Sequence, residues 1–164
     1  MAPSSRIPPI LATEIPQWLE QWKFDEFITL ATNDSALPLK GHSSSEARMR
    51  DLLKEWEGRM HRKMVGPDWQ KRIADRMWCF YFLEKPEFNP HWHGLVQFSK
   101  YYPTTREEQK ACFRKYAEPI WKKLVPTGSV SIIPVYIQKG LSEYLAKELG
   151  NSISYENYVV PDEF

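Results

Sequence analysis

Residues 88–98 read FNPHWHGLVQF, and two of the chain's four histidines stand in this stretch one residue apart. From His91 onward the segment has the length and make-up of a strand. On a strand, positions two apart share a face. His91, His93, Leu95 and Gln97 therefore line one side. Trp92, Gly94, Val96 and Phe98 line the other, which reads as core. Just upstream, MWCFYFLE (77–84) is a continuous apolar run of strand length, rich in aromatic residues. The intervening KPEFNP carries two prolines and reads as a turn. Residues 77–98 thus predict a β-hairpin, and a hairpin demands an antiparallel centre.

Other elements arrange themselves around this hairpin. Phe27 to Ala31 is strand-like and stops at Asn33-Asp34. In SSSEARMRDLLKEWEGRMHRKM (43–64), Ser43 and Glu46 have capping-box spacing. Met49, Leu52, Leu53, Trp56, Met60 and Met64 follow at steps of three and four, the stripe of a helix that Gly66-Pro67 should end. Thr105 and Glu108 open a second helix, with Cys112, Phe113 and Tyr116 on its apolar side, and Pro119 is expected to end or kink it. SVSIIPVYI (129–137) reads as a strand, GLSEYLAKEL (140–149) as a short helix, and the acidic tail as part strand. The order β-α-β-β-α-β-α is that of an α+β fold with helices laid on an antiparallel sheet. Residues 1–20 form a proline-rich arm, and 21–164 are the length of one domain with a real core.

A formal net charge of +1 argues against gripping nucleic acid by bulk charge. The charge is unevenly spread, since nine Lys/Arg face five Asp/Glu between Arg48 and Arg76. Seven tryptophans supply core, with some left over as platforms for bases. No run approaches the ~18 apolar residues of a membrane span, and the N-terminus lacks the pattern of a signal peptide. Together these predict an intracellular protein without membrane contact. Cys79 and Cys112 sit in apolar settings and read as reduced thiols.

Two imidazoles side by side suit one metal ion, because each offers a neutral nitrogen lone pair. Glu84 across the hairpin, Glu87 in the turn and Gln97 on the same face are the candidate third ligands. Neither cysteine is near the pair, which disfavours a closed structural zinc site. A mixed histidine–carboxylate set suits an open Mn²⁺ or Mg²⁺ site. Farther along, Tyr144 and Lys147 stand at i, i+3 on one helix face. A tyrosine oxygen can attack phosphorus when a metal, base or cation assists it, and a lysine can neutralise phosphate charge. Tyr136 and Lys139 share the spacing, but on a strand they would face opposite ways.

FITL (27–30), HWH (91–93) and YLAK (144–147), in this order, resemble the three motifs of the HUH endonuclease superfamily. The likeness is greatest to the rolling-circle replication initiators, the Rep proteins of small single-stranded DNA viruses and related plasmids. LEKPEFNPHWHGLVQFSK (83–100) resembles the geminivirus-type pattern, and the resemblance spans about residues 24 to 150. It implies a five-stranded antiparallel sheet of the ferredoxin/RRM-like kind. It implies a metal, Mn²⁺ or Mg²⁺, on His91, His93 and a glutamate that maps to Glu84, with Glu87 the other candidate. Tyr144 would be the nucleophile and Lys147 its cationic helper. Thr29, Gln97, Arg48 and Lys63 are the expected DNA contacts. The implied activity is nicking and rejoining of single-stranded DNA at an origin or hairpin through a 5′-phosphotyrosine, in a bacterial cytoplasm or host nucleus. None of the seven glycines builds a G-x-x-x-x-G-K-[ST] loop, so the expectation is either an isolated nicking domain or unwinding by a separate helicase as partner. A single-tyrosine transposase or relaxase would share the chemistry. A non-catalytic single-strand-binding module would share only the sheet and the aromatics.

Overall fold

The computed structural model describes residues 19, 21–35, 37–84, 88–101, 104–136 and 158–164. Five strands and two long helices are described: β1 (Glu26–Ala31), α1 (Ser45–Met64), β2 (Trp78–Glu84), β3 (His91–Gln97), α2 (Arg106–Leu124), β4 (Ser129–Pro134) and β5 (Tyr158–Val159). Two short 3-10 turns, Trp69–Lys71 and Ile73–Asp75, join α1 to β2. The sheet runs β4-β1-β3-β2-β5, with every neighbouring pair antiparallel. The expected α+β architecture, with a five-stranded antiparallel sheet and helices packed on it, is what the chain adopts. The expected helix at 140–149, and with it Tyr144 and Lys147, lies outside the described residues.

The two faces of β3 separate as strand periodicity requires. Its even positions point toward the helices. There Trp92 and Val96 join Ile28, Leu30, Tyr81 and Leu83 from neighbouring strands and Met49, Leu53, Trp56 and Phe113 from α1 and α2 in one buried core. Three buried indoles also bind across elements through their N–H groups. Trp92 Nε1 donates to the Met49 carbonyl (2.9 Å), Trp56 Nε1 to that of Ala117 (3.0 Å) and Trp121 Nε1 to that of Ala31 (2.7 Å). A large apolar ring is thereby buried without an orphaned donor. Gly94 is required at the centre of this face. A Cβ there would stand 2.6 Å from the Tyr81 ring and 2.9 Å from an Ile28 methyl.

The other face is not bare. Leu95, Phe80 and Phe82 pack with Leu19, Phe24, Tyr158 and Val160 in a second, smaller apolar cluster. Leu19 and Phe24 come from the chain before β1, and Tyr158 from the edge strand β5 beside β2. Both histidines of β3 fall in its first half, and its remaining polar residue, Gln97, closes the strand at the other end.

Three local expectations are corrected. The N-cap of α1 is Ser44, not Ser43. Its hydroxyl accepts from the Ala47 N–H at 3.1 Å, so Glu46 falls inside the first turn and no capping box forms. Three serines in a row offer the same chemistry at successive positions, and the register of the apolar stripe selects among them. Pro119 does not end α2, which runs on to Leu124. Proline removes one ladder hydrogen bond, while Ile120 and Trp121 beyond it are buried, and their burial favours continuing the helix. The strand foreseen over 129–137 ends at Pro134. The Thr105–Glu108 capping box forms as expected, with both reciprocal hydrogen bonds present. Gly66 closes α1 in the left-handed region (φ 116°), where its N–H bonds to the Arg62 carbonyl at 3.0 Å. Cys79 and Cys112 are both free thiols, and burial pushes the Cys79 thiol well above its ordinary range.

Candidate metal centre

The site is built by strand register. His91 stands opposite Glu84 on β2 and opposite Ala31 on β1. His93 stands opposite Phe82 and Thr29. Directly opposed residues of antiparallel strands have Cβ atoms about 5 Å apart. A carboxylate across from the first imidazole therefore reaches the second on the diagonal. Glu84 Oε2 lies 2.9 Å from His91 Nε2 and 2.5 Å from His93 Nε2. Ala31, on the other flank, has too short a side chain to cover the point where they meet.

Each imidazole is oriented from behind. The His91 Nδ1 lies 3.0 Å from the Asn89 carbonyl oxygen. A carbonyl can only accept, so Nδ1 carries a proton and donates to it, which leaves Nε2 as the nitrogen that faces Glu84. Asn89 takes a left-handed backbone conformation (φ 49°) in the turn just before β3, which aims its carbonyl at the ring. The His93 Nδ1 lies 3.0 Å from the Thr29 hydroxyl. Its ring is flanked by Phe27 (centroids 5.4 Å apart, planes 11° apart) and Phe82 (5.1 Å, 29°). The two imidazoles meet nearly edge to face at 85°, with centroids 4.8 Å apart. Hydrogen bonds and ring packing together leave His93 little rotational freedom.

Three ligand atoms, two nitrogens and one oxygen, thus lie within 4.8 Å of one another in the Glu84–His91–His93 group. Among the described residues this group could hold a metal ion. The donors fit such an ion: two imidazole nitrogens and a carboxylate oxygen are a ligand set that divalent metal ions take once the imidazole nitrogens are unprotonated. Burial works against charge on Glu84, but hydrogen bonds from His93 and His91 and their positive charge outweigh it. The carboxyl is held below its ordinary range. His91 and Glu84 remain partly open to solvent, so the ligand set is accessible from outside. With three protein ligands, further coordination positions are left for water or substrate.

The other expected site residues sort by position. Gln97 lies at the far end of the same face, and its amide donates to the Lys23 carbonyl at 2.9 Å, away from the imidazoles. Thr29 is beside the centre, engaged with His93. Arg48 and Lys63 belong to α1, on the opposite side of the sheet. Arg48 pairs loosely with Asp51 (3.7 Å), and the Lys63 ammonium lies over the Tyr116 ring (4.8 Å). The sheet separates both from the metal ligands. Tyr136 is described and highly exposed, whereas Glu87, Tyr144, Lys147 and Lys139 lie outside the described residues. Asn89, Phe27 and Phe82 were not foreseen as supports of the site. The Asn-Pro dipeptide before His91 was the one sequence signal for the first of them.

Comparison of the chain with known protein families, with curated proteins and with solved structures finds no match. Among the described residues, no helix is long and apolar enough to cross a membrane.

Proposed function

We propose that the chain is a metal-dependent nicking and joining enzyme for single-stranded DNA, of the HUH replication-initiator type. The observation that carries this reading is the meeting of Glu84, His91 and His93 at one solvent-accessible point, with Thr29 of FITL hydrogen-bonded behind His93. Two of the three sequence motifs are thereby neighbours on one sheet face, and the third is supplied by YLAK at 144–147. A divalent ion such as Mn²⁺ or Mg²⁺, held by Glu84, His91 and His93, supplies Lewis-acid polarisation of a phosphate oxygen.

The chain's own residues have distinct parts in this reading. Glu84 contributes negative charge that offsets the ion. Asn89 keeps a proton on His91 Nδ1, and Thr29 orients the His93 ring from behind. The Tyr144 oxygen attacks the phosphodiester, an O–P bond to tyrosine forms, and the bond to the 3′ oxygen breaks. The 3′ oxygen leaves as a hydroxyl once protonated, and the 5′ end stays on the protein. Lys147 neutralises charge on the phosphate. Because the phosphotyrosine keeps the energy of the original ester, a 3′-hydroxyl can reverse the step and join strands.

The test is covalent capture. Labelled single-stranded hairpin DNA is incubated with the chain and Mn²⁺ and resolved on a denaturing gel. A protein–DNA adduct is expected, lost in Tyr144→Phe with strand binding retained. Loss in Tyr136→Phe instead would reassign the nucleophile. Cleavage without capture would point to a hydrolase, and binding without cleavage under any metal to a single-strand-binding module.

A further inference from the structure

A second site candidate lies on the helix side of the sheet. A cleft of about 840 Å³ opens between α1, the Trp69–Lys71 turn and the end of the described chain at Phe164. That is the size of a small-molecule pocket. Along α1, Lys54, Gly58 and Arg62 follow at steps of four and so lie on one face. Gly58 leaves a notch between the two cations, whose Cα atoms are about 12 Å apart on helical rise. Trp69 forms one wall of the notch, since a Cβ on Gly58 would stand 3.5 Å from its indole. Both flanking side chains are long enough to reach a common ligand in that gap.

The charges of the lining are unequally matched. Glu55 and Glu57 are already engaged: Arg59 Nε donates to Glu55 at 2.9 Å, and His61 Nε2 lies 3.5 Å from Glu57. Lys54, Arg62 and Arg76 have no ion-pair partner among the described residues. The Asp162 carboxylate senses Arg76 and His61 only from beyond ion-pair range. Two polar atoms of the lining are also unmet. His61, 3% exposed and stacked on Trp69, has a buried Nδ1 with no hydrogen-bond partner, and so has the Arg76 Nε. An arginine Nε always carries hydrogen, so what it lacks is an acceptor. Surplus cations and an unmet donor around a notch call for an oxygen-rich anion.

We propose that this cleft binds a phosphate oxyanion, free or esterified, through Lys54, Arg62 and Arg76. The site stands apart from the metal ligands, which lie across the sheet, and it holds whether or not the chain nicks DNA.

Calorimetric titration of the full chain at low salt tests it, with inorganic phosphate, deoxyadenosine monophosphate and uncharged deoxyadenosine as probes. Saturable one-to-one binding of a phosphate probe is expected. Tighter binding of the monophosphate identifies an ester as the ligand, and equal binding a free phosphate. Lys54→Ala with Arg62→Ala, both at exposed positions, should weaken binding at least tenfold and leave Mn²⁺ uptake unchanged. Gly58→Leu, which fills the notch and keeps every charge, should weaken it too. His91→Ala should bind phosphate as the wild type does. The proposal is overturned if no phosphate probe saturates, if deoxyadenosine binds as tightly as its phosphate, or if the double variant binds like the wild type. Loss in His91→Ala alone would move the anion to the metal centre and overturn it equally.

Discussion

The two faces of β3 are made by alternate residues of a single strand, yet they are held by different physics. On the helix side, Trp92 and Val96 are completely buried, and Gly94 is packed against a ring and a methyl with no room to spare. Stability there comes from apolar area and shape. On the other side, His91 and His93 are held by directed contacts to Asn89, Thr29 and Glu84. Apolar packing tolerates no extra volume, whereas a hydrogen-bonded centre tolerates volume changes but not the loss of a donor or a charge. The faces should therefore respond to different substitutions and in different assays.

The largest effect is expected where packing is tightest. Gly94→Val puts a branched side chain into the Tyr81 ring and should cost about 3 kcal/mol or more, read as a fall in the denaturation midpoint. A near-wild-type midpoint would mean that the helix-side core is looser than its contacts imply. On the metal side, Thr29→Val keeps the shape of the residue and removes the hydroxyl behind His93. Loss of such a supporting hydrogen bond lowers metal affinity by about 10- to 100-fold. The midpoint should move far less than in Gly94→Val.

A smaller effect follows from the Glu84 carboxyl. Its folded value is depressed below the ordinary 4.5, because the imidazoles favour the charged form despite burial. A depressed carboxyl stabilises the folded state above its unfolded value, and the contribution fades as pH falls through the folded value. In metal-free protein, Glu84→Gln should thus be less stable than wild type at neutral pH. The two should converge as pH drops below about 4.5, and a gap that widened in acid would reverse the assignment.

The two faces were also unequally legible in the sequence. Strand alternation and the hairpin punctuation place His91 beside His93 and Trp92 in the core without any coordinates. The same alternation marks Leu95 as a neighbour of the histidines, but it does not say that Leu19, Phe24 and Tyr158 cover it. Those partners are distant in the chain, and pattern reading is local. Glu84 was the first candidate and Glu87, in the turn, the second. The register puts Glu84 directly opposite His91, and Glu87 lies outside the described residues. Arg48 and Lys63 stood out through an excess of charge, which carries no information about facing. Their helix packs behind the sheet. Ser43 was one residue from the true cap because three adjacent serines are chemically alike.

The measurement closest to the centre of this account is titration of Mn²⁺ into the metal-free chain, wild type against His91→Ala, at pH 7. One ion per wild-type chain is predicted, with at least a 100-fold loss in the variant and little change in its unfolding. No saturable uptake by the wild type, or equal uptake by both, would contradict a metal centre on this face of the sheet.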